Sequence, residues 1–184
     1  MQTRNPTVTT VELVRHASAA ARAEWTDRPD VERPLDAAGR AQARAIAEQL
    51  ARGAPIAALH ASPAVRCAQT IEPLAEATGL EIAAAEGLAE AATLPVLDGG
   101  DPWVAAAWLA GRTLRLLDEL VAVHAGQRVV ACSHGDVIPA VMAALVGRDG
   151  LDLADVRCRK GGRFTLTFDG DRCVDAVVSG PPEI

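Results

Sequence analysis

Three short apolar runs, each breaking into polar residues and then into a helical pattern, constrain this chain more than any other feature. The first, Val11-Glu12-Leu13-Val14, stops at Arg15 and His16; the second, Ile56-Ala57-Ala58-Leu59, stops at His60 and Ser62. The third, Val129-Val130-Ala131-Cys132, stops at Ser133 and His134. Short apolar runs with β-branched residues predict buried strands. Strands alternating with helices predict a parallel sheet covered on its faces, with ligands bound beyond the carboxyl ends of the strands. The expected fold class is α/β, a three-layer α/β/α sandwich around a mostly parallel central sheet.

The helical patterns fill the gaps. Leu35, Ala38, Ala41, Ala45, Ile46 and Leu50 recur on one face opposite Arg40, Arg44, Glu48 and Arg52, with Asp36 as cap and Gly53 as stop. Ser62 is expected to cap a helix opening at Pro63 and ending at Gly79, with Val65, Ala68, Ile71 and Ala75 inward and a kink at Pro73. A weak strand is expected over 81–85. A long helix follows, capped by Asp101 and opened by Pro102, burying Trp103, Ala106, Ala107, Ala110, Leu114, Leu117 and Val121. A further helix covers 137–146, and 163–168 with 172–178 alternate as a hairpin turning at Asp169-Gly170-Asp171.

The 184 residues suit one domain over 1–184, with the polar segment 1–7 expected to be flexible. A net charge of −6 argues against a nucleic-acid or anionic-membrane partner, which would need an extended basic face. The amino terminus shows no signal-peptide pattern and no run is long enough to span a bilayer, so a cytoplasmic protein is expected. Cys67, Cys132, Cys158 and Cys173 have neither zinc nor redox spacing, and reduced thiols are the default. Of 18 basic residues only Lys160 is a lysine, an arginine bias that also suits phosphate binding.

A parallel sheet would bring Arg15, His16, Arg66 and His134 to one edge. Two arginines and two histidines there suit phosphoryl transfer: guanidinium groups hold phosphate oxygens, and a neutral imidazole attacks phosphorus. An acid in a partly apolar loop would protonate the leaving oxygen.

The chain resembles the histidine phosphatase superfamily, which has the phosphoglycerate mutase-like fold. The residues that carry the resemblance are Leu13-Val14-Arg15-His16-Ala17, Arg33-Pro34-Leu35 with Gly39 and Gln42-Ala43, Ser62 through Thr70, and Ser133-His134-Gly135. The resemblance implies a metal-independent phosphatase without a cofactor, hydrolysing a phosphomonoester or phosphoramidate through a covalent phosphohistidine on His16. It places Arg15, Arg66 and His134 in the phosphate pocket, and makes Glu90 the proton donor, with Glu86 as the alternative. Arg-His-Ala replaces the commoner Arg-His-Gly, as in the short phosphohistidine phosphatase branch, so Ala17 must take a backbone conformation open to a Cβ.

The short loop after Glu90 implies an open pocket. The expected substrates are a phosphorylated small molecule, a nucleotide or a phosphohistidine protein. A phosphoglycerate mutase-like transferase and a non-catalytic phosphate-binding protein are the alternatives. Arg22, Arg28 and Arg33 could reach substrate from the first loop, Arg22 being the first candidate, although solvated surface is the commoner place for such arginines. His60 suits a structural or rim role, and His124 a helix C-terminus. A metal site on His16, His60 and His134 lacks partners at fitting spacing.

Overall fold

The computed structural model describes residues 8–91 and 102–183. Six strands form one sheet: β1 (Val8–Arg15), β2 (Ile56–Ala61), β3 (Ile82–Ala84), β4 (Arg128–Ser133), β5 (Arg163–Asp169) and β6 (Arg172–Ser179). Their order is β3-β2-β4-β1-β5-β6, the first four parallel and the β5–β6 hairpin antiparallel to β1. The helices are α1 (Ala37–Ala51), α2 (Val65–Thr78), α3 (Pro102–Val123) and α4 (Val137–Asp149).

Side chains alternate across each strand and so feed two cores. Val11, Leu13, Val129 and Ala131 meet Leu117, Ile138 and Leu145 of α3 and α4. Val14, Val130 and Cys132 meet Ile46, Leu50, Cys67 and Ile71 of α1 and α2. The expected α/β/α layering and mostly parallel sheet are therefore present. Between β1 and β2 the chain skips over β4, leaving β1 and β4 as neighbours at the centre. That reversal of direction is where α/β sheets open a ligand crevice.

The structure corrects several expectations. Ser62 does not cap a helix at Pro63: α2 begins two residues later, behind Ala64, which makes no side-chain cap. The Ser62 hydroxyl lies instead 2.7 Å from His134 Nε2. The buried face of α2 is Arg66, Cys67, Thr70, Ile71 and Leu74, so only Ile71 of the expected stripe is fully inside, and the helix runs on through Pro73. In α3, Trp103, Ala106 and Ala107 are exposed, while Leu109, Thr113, Leu117, Leu120 and Val121 are buried. The first turns of that helix are apolar all round, so their periodicity selects no face. The expected Asp101 cap lies outside the described residues. The Asp36 cap is present, its carboxylate accepting from Gly39 N at 2.7 Å.

Gly39 also marks the closest backbone approach, where α1 meets the segment after β1. A Cβ there would stand 1.8 Å from the Ser18 carbonyl oxygen, so either the helix or that segment must move. Gly39→Ala is expected to cost about 2 kcal/mol or more of stability, measured by denaturant unfolding.

Candidate active site

His16 and His134 leave the carboxyl ends of the two central strands, β1 and β4, and the His16 amide donates to the Ser133 carbonyl at 2.9 Å. Their rings meet edge to face, centroids 5.4 Å apart. His16 Nδ1 lies 2.8 Å from the Ala17 carbonyl oxygen. A carbonyl only accepts, so Nδ1 carries the proton and the Nε2 lone pair is free. Burial, joined by the charges of His134, Arg66 and Arg15, lowers the His16 pKa to about 3, despite the favourable hydrogen bond to Ala17. The ring is thus neutral across the ordinary pH range, the state in which an imidazole can attack.

Arg66 projects from the first turn of α2 and is buried. It donates to the Asp30 carbonyl at 2.8 Å and to Glu90 Oε2 at 2.5 Å, while its Nε has no partner. Glu90 also reaches His134, Oε1 to Nδ1 being 3.3 Å. Burial opposes a charge on His134, but Cys67 and the Glu90 carboxylate more than offset it and raise its pKa to about 9. Burial likewise opposes the Glu90 charge, yet His134 and Arg66 hold its pKa down to about 2. A carboxylate thus bridges two cations whose nitrogens are 3.4 Å apart.

Main-chain ties fix the Glu90 loop, because Leu88 O accepts from Ser133 Oγ at 2.8 Å and Gly87 O from Thr113 Oγ1 at 2.8 Å. Arg112 of α3 donates to the Ala89 carbonyl. Glu86, the alternative acid, lines an adjoining hollow with Asp30, Val31 and Arg66 but makes no ion pair among the described residues.

Arg15 donates to the Cys158 carbonyl at 2.9 Å and its Nε has no partner. Its guanidinium lies flat against Gly135, where a Cβ would come within 2.4 Å of NH2. Gly135→Ala therefore displaces Arg15, and about a 100-fold fall in kcat/KM is expected in steady-state assays. Arg15 and His16 share a cleft of about 440 Å³ with Arg22, Arg33, Glu90, Ala91, Gly135, Asp136 and Lys160. Another cavity, about 400 Å³ between the 149–153 turn and β6, carries none of these reactive groups.

This arrangement agrees with the sequence comparison, in which the model of the histidine phosphatase superfamily (branch 1) matches residues 11–95 and 105–178. The chain belongs to the histidine phosphatase superfamily. Among curated relatives of this histidine phosphatase chain is an 8-oxo-(d)GTP phosphatase of Mycolicibacterium smegmatis, 36% identical over 95% of the chain. The chain spans about half of that relative's length, 49%. Bacillus stearothermophilus YhfR has the same fold at 20% identity, with a TM-score of 0.75 over 95% of this chain and 98% of its own. The protein histidine phosphatase SixA, complexed with tungstate, aligns at 20% identity and a TM-score of 0.61, over 92% of this chain and 94% of its own.

Within this superfamily member, His16, Arg15, Arg66, His134 and Glu90 come together as expected. Arg22 lines the cleft and pairs with Asp30 at 3.2 Å. Arg28 lies over the Trp25 ring. Arg33 is not solvated surface: it is 7% exposed, held by Asp30 at 2.8 Å and the Ala20 carbonyl at 2.9 Å. His60 lies beside His124, ring centroids 6.2 Å apart, and does not line the cleft. Lys160 lines the cleft, and Asp30 and Ser62 line the adjoining hollow. Asp30 and Lys160 carry no spacing signal in the sequence, and Ser62 reads there as a helix cap. Ala17 needs no unusual backbone, since among the described residues only glycines have positive φ.

Proposed function

We propose that this superfamily member is a phosphatase that hydrolyses a phosphomonoester or phosphoramidate through a phosphohistidine at His16 Nε2. The observation that carries the reading is the neutral, Nδ1-protonated His16 in a cleft it shares with Arg15 and Glu90, with Arg66 and His134 gathered on Glu90 in the adjoining hollow. Family membership and the names of relatives support phosphatase chemistry.

Arg15, Arg66 and protonated His134 hold the phosphoryl oxygens, and His16 Nε2 attacks phosphorus as the ester bond breaks. Free Glu90 is ionised, so the proton for the leaving oxygen enters with the substrate. A phosphate monoanion that engages Arg66 and His134 weakens their hold on Glu90, which takes the substrate's proton and passes it to the departing oxygen. Glu90, again a carboxylate, deprotonates the water that cleaves the phosphohistidine. Inorganic phosphate leaves with that proton.

No step draws on a metal, and chelators are expected to leave the rate unchanged. Of the substrate classes, the 36% relative's name favours a nucleotide, and the SixA likeness supports a phosphohistidine protein only at the level of fold. The test is rapid quenching in base, where phosphohistidine is stable, of the enzyme with a labelled aryl phosphate, followed by mapping of the label. Label on His16 is expected; turnover with no label on His16 overturns the mechanism. Measuring transfer to an added alcohol beside transfer to water separates hydrolysis from mutase-like transfer.

A further inference from the structure

We infer that Lys160 forms a second anion subsite beside the phosphoryl pocket, so that preferred substrates carry another anionic group beyond the phosphoryl group transferred. The inference rests on the proposed phosphatase reading and adds a substrate class to it. Lys160 lines the cleft that holds Arg15 and His16.

Its placement is built into the backbone. Residues 159–162 form a turn closed by Gly162 N donating to Arg159 O at 2.8 Å, with Gly161 at φ +76°, the left-handed region that glycine adopts without strain. Gly161 N reaches the carbonyls of both Arg15 and His16, at 3.1 and 3.2 Å, and Arg15 N donates to Gly162 O at 2.9 Å. The Arg15 side chain holds the same segment through Cys158 O at 2.9 Å. A Cβ on Gly162 would stand 2.9 Å from Ser179 O, so the turn is packed from behind as well. The turn that presents Lys160 is thereby fastened to the residues that would hold and attack phosphate.

Charge supports the same occupant. The cleft is lined by four fixed cations, Arg15, Arg22, Arg33 and Lys160, against two carboxylates, Glu90 and Asp136, in a chain of net charge −6. Arg33 is committed to Asp30, and Arg22 pairs with Asp30 and, at 3.9 Å, with Glu90. Lys160 forms no ion pair among the described residues, although Asp36 feels its charge. A flexible ammonium left unpaired beside a phosphate pocket suits a second phosphate or a carboxylate.

The test compares a nucleoside diphosphate, a phosphorylated hydroxy acid and an aryl phosphate in wild type, Lys160→Ala and Lys160→Arg. Lys160→Ala should lower kcat/KM about tenfold more on one or both of the two doubly anionic substrates than on the aryl phosphate. Lys160→Arg should restore most of that difference. Which of the two responds distinguishes a second phosphate from a carboxylate. Equal losses on all three substrates, or no loss on any, overturn the subsite.

Binding makes the result independent of turnover. In a His16→Ala background, Lys160→Ala should weaken inorganic pyrophosphate about tenfold more than inorganic phosphate, read by calorimetry. If wild type hydrolyses nothing yet this difference appears, the subsite stands and the catalytic reading fails. If wild type hydrolyses the aryl phosphate and the difference is absent from both experiments, the reading stands and the subsite fails.

Discussion

His16→Ala is expected to lower kcat on an aryl phosphate by on the order of 10⁴-fold or more, while inorganic phosphate still binds. The two halves of this result have separate causes. Removing the imidazole removes the atom that would bond to phosphorus, and among the described residues lining the cleft no other side chain offers a neutral nitrogen lone pair. The groups proposed to hold phosphate belong to other side chains, Arg15, Arg66 and His134, whose supports at Cys158 O, Asp30 O and Ser62 Oγ do not pass through the His16 ring. Stopped assays beside phosphate titration measure both halves. A variant with near wild-type turnover would show that His16 is not the nucleophile.

Glu90→Gln is expected to lower kcat on an alkyl phosphate about 10³-fold while tightening phosphate binding several-fold. Gln cannot carry the proton either way, which accounts for the rate. It also removes the anion between Arg66 and His134, so the incoming phosphate no longer competes with a carboxylate for them. An aryl phosphate with a good leaving group needs little protonation, so its first step should survive. The second step still lacks a base, and the phosphohistidine should accumulate as a burst. Pre-steady-state kinetics would reveal it, and equal loss of both steps without tighter phosphate binding would contradict the assigned role.

The same charges set the pH dependence. With Glu90 ionised above about pH 2, a substrate monoanion must supply the proton, and kcat/KM should decline above about pH 6, where phosphate loses it. A further fall is expected through about pH 9 as His134 loses its charge. Stability follows by linkage. The lowered Glu90 pKa contributes stability above its ordinary value of 4.5, lost as pH falls towards 2. The raised His134 pKa contributes below 6.5, and that contribution is lost as pH rises through 9. Neutral His16 works against folding as pH falls below 6.5, because the unfolded chain binds the proton there and the folded chain holds out to about 3.

The centre of the site was legible because His16 and His134 follow apolar runs that could only be buried strands, and a parallel sheet gathers such ends. Arg66 was legible for the same reason, one turn into the helix after β2. Its rim was not. Arg33 and Lys160 sit in irregular segments whose backbone path follows long-range contacts, with Ala20 for one and with Arg15 and His16 for the other. Ser62 looked like a helix cap because the serine-proline pair is the local signature of one; the His134 ring, 72 residues away in sequence, uses the hydroxyl instead. The first turns of α3 do not reveal their buried face because alanine and tryptophan surround them, whereas Leu117 and Val121 further along are buried as the periodicity predicts.

Ala17 has a wider consequence. Its carbonyl holds the His16 Nδ1 proton at 2.8 Å, its amide donates to Thr70 Oγ1 at 3.0 Å, and Thr70 donates to Arg66 O at 2.6 Å. Every residue type offers that carbonyl, so which His16 nitrogen is left free to react is independent of the side chain at position 17. What the position does restrict is volume, since Ala17 is fully enclosed with Ala19, Leu35 and Ala43. Alanine and glycine are therefore chemically interchangeable there, and the choice between them is one of packing rather than of catalysis.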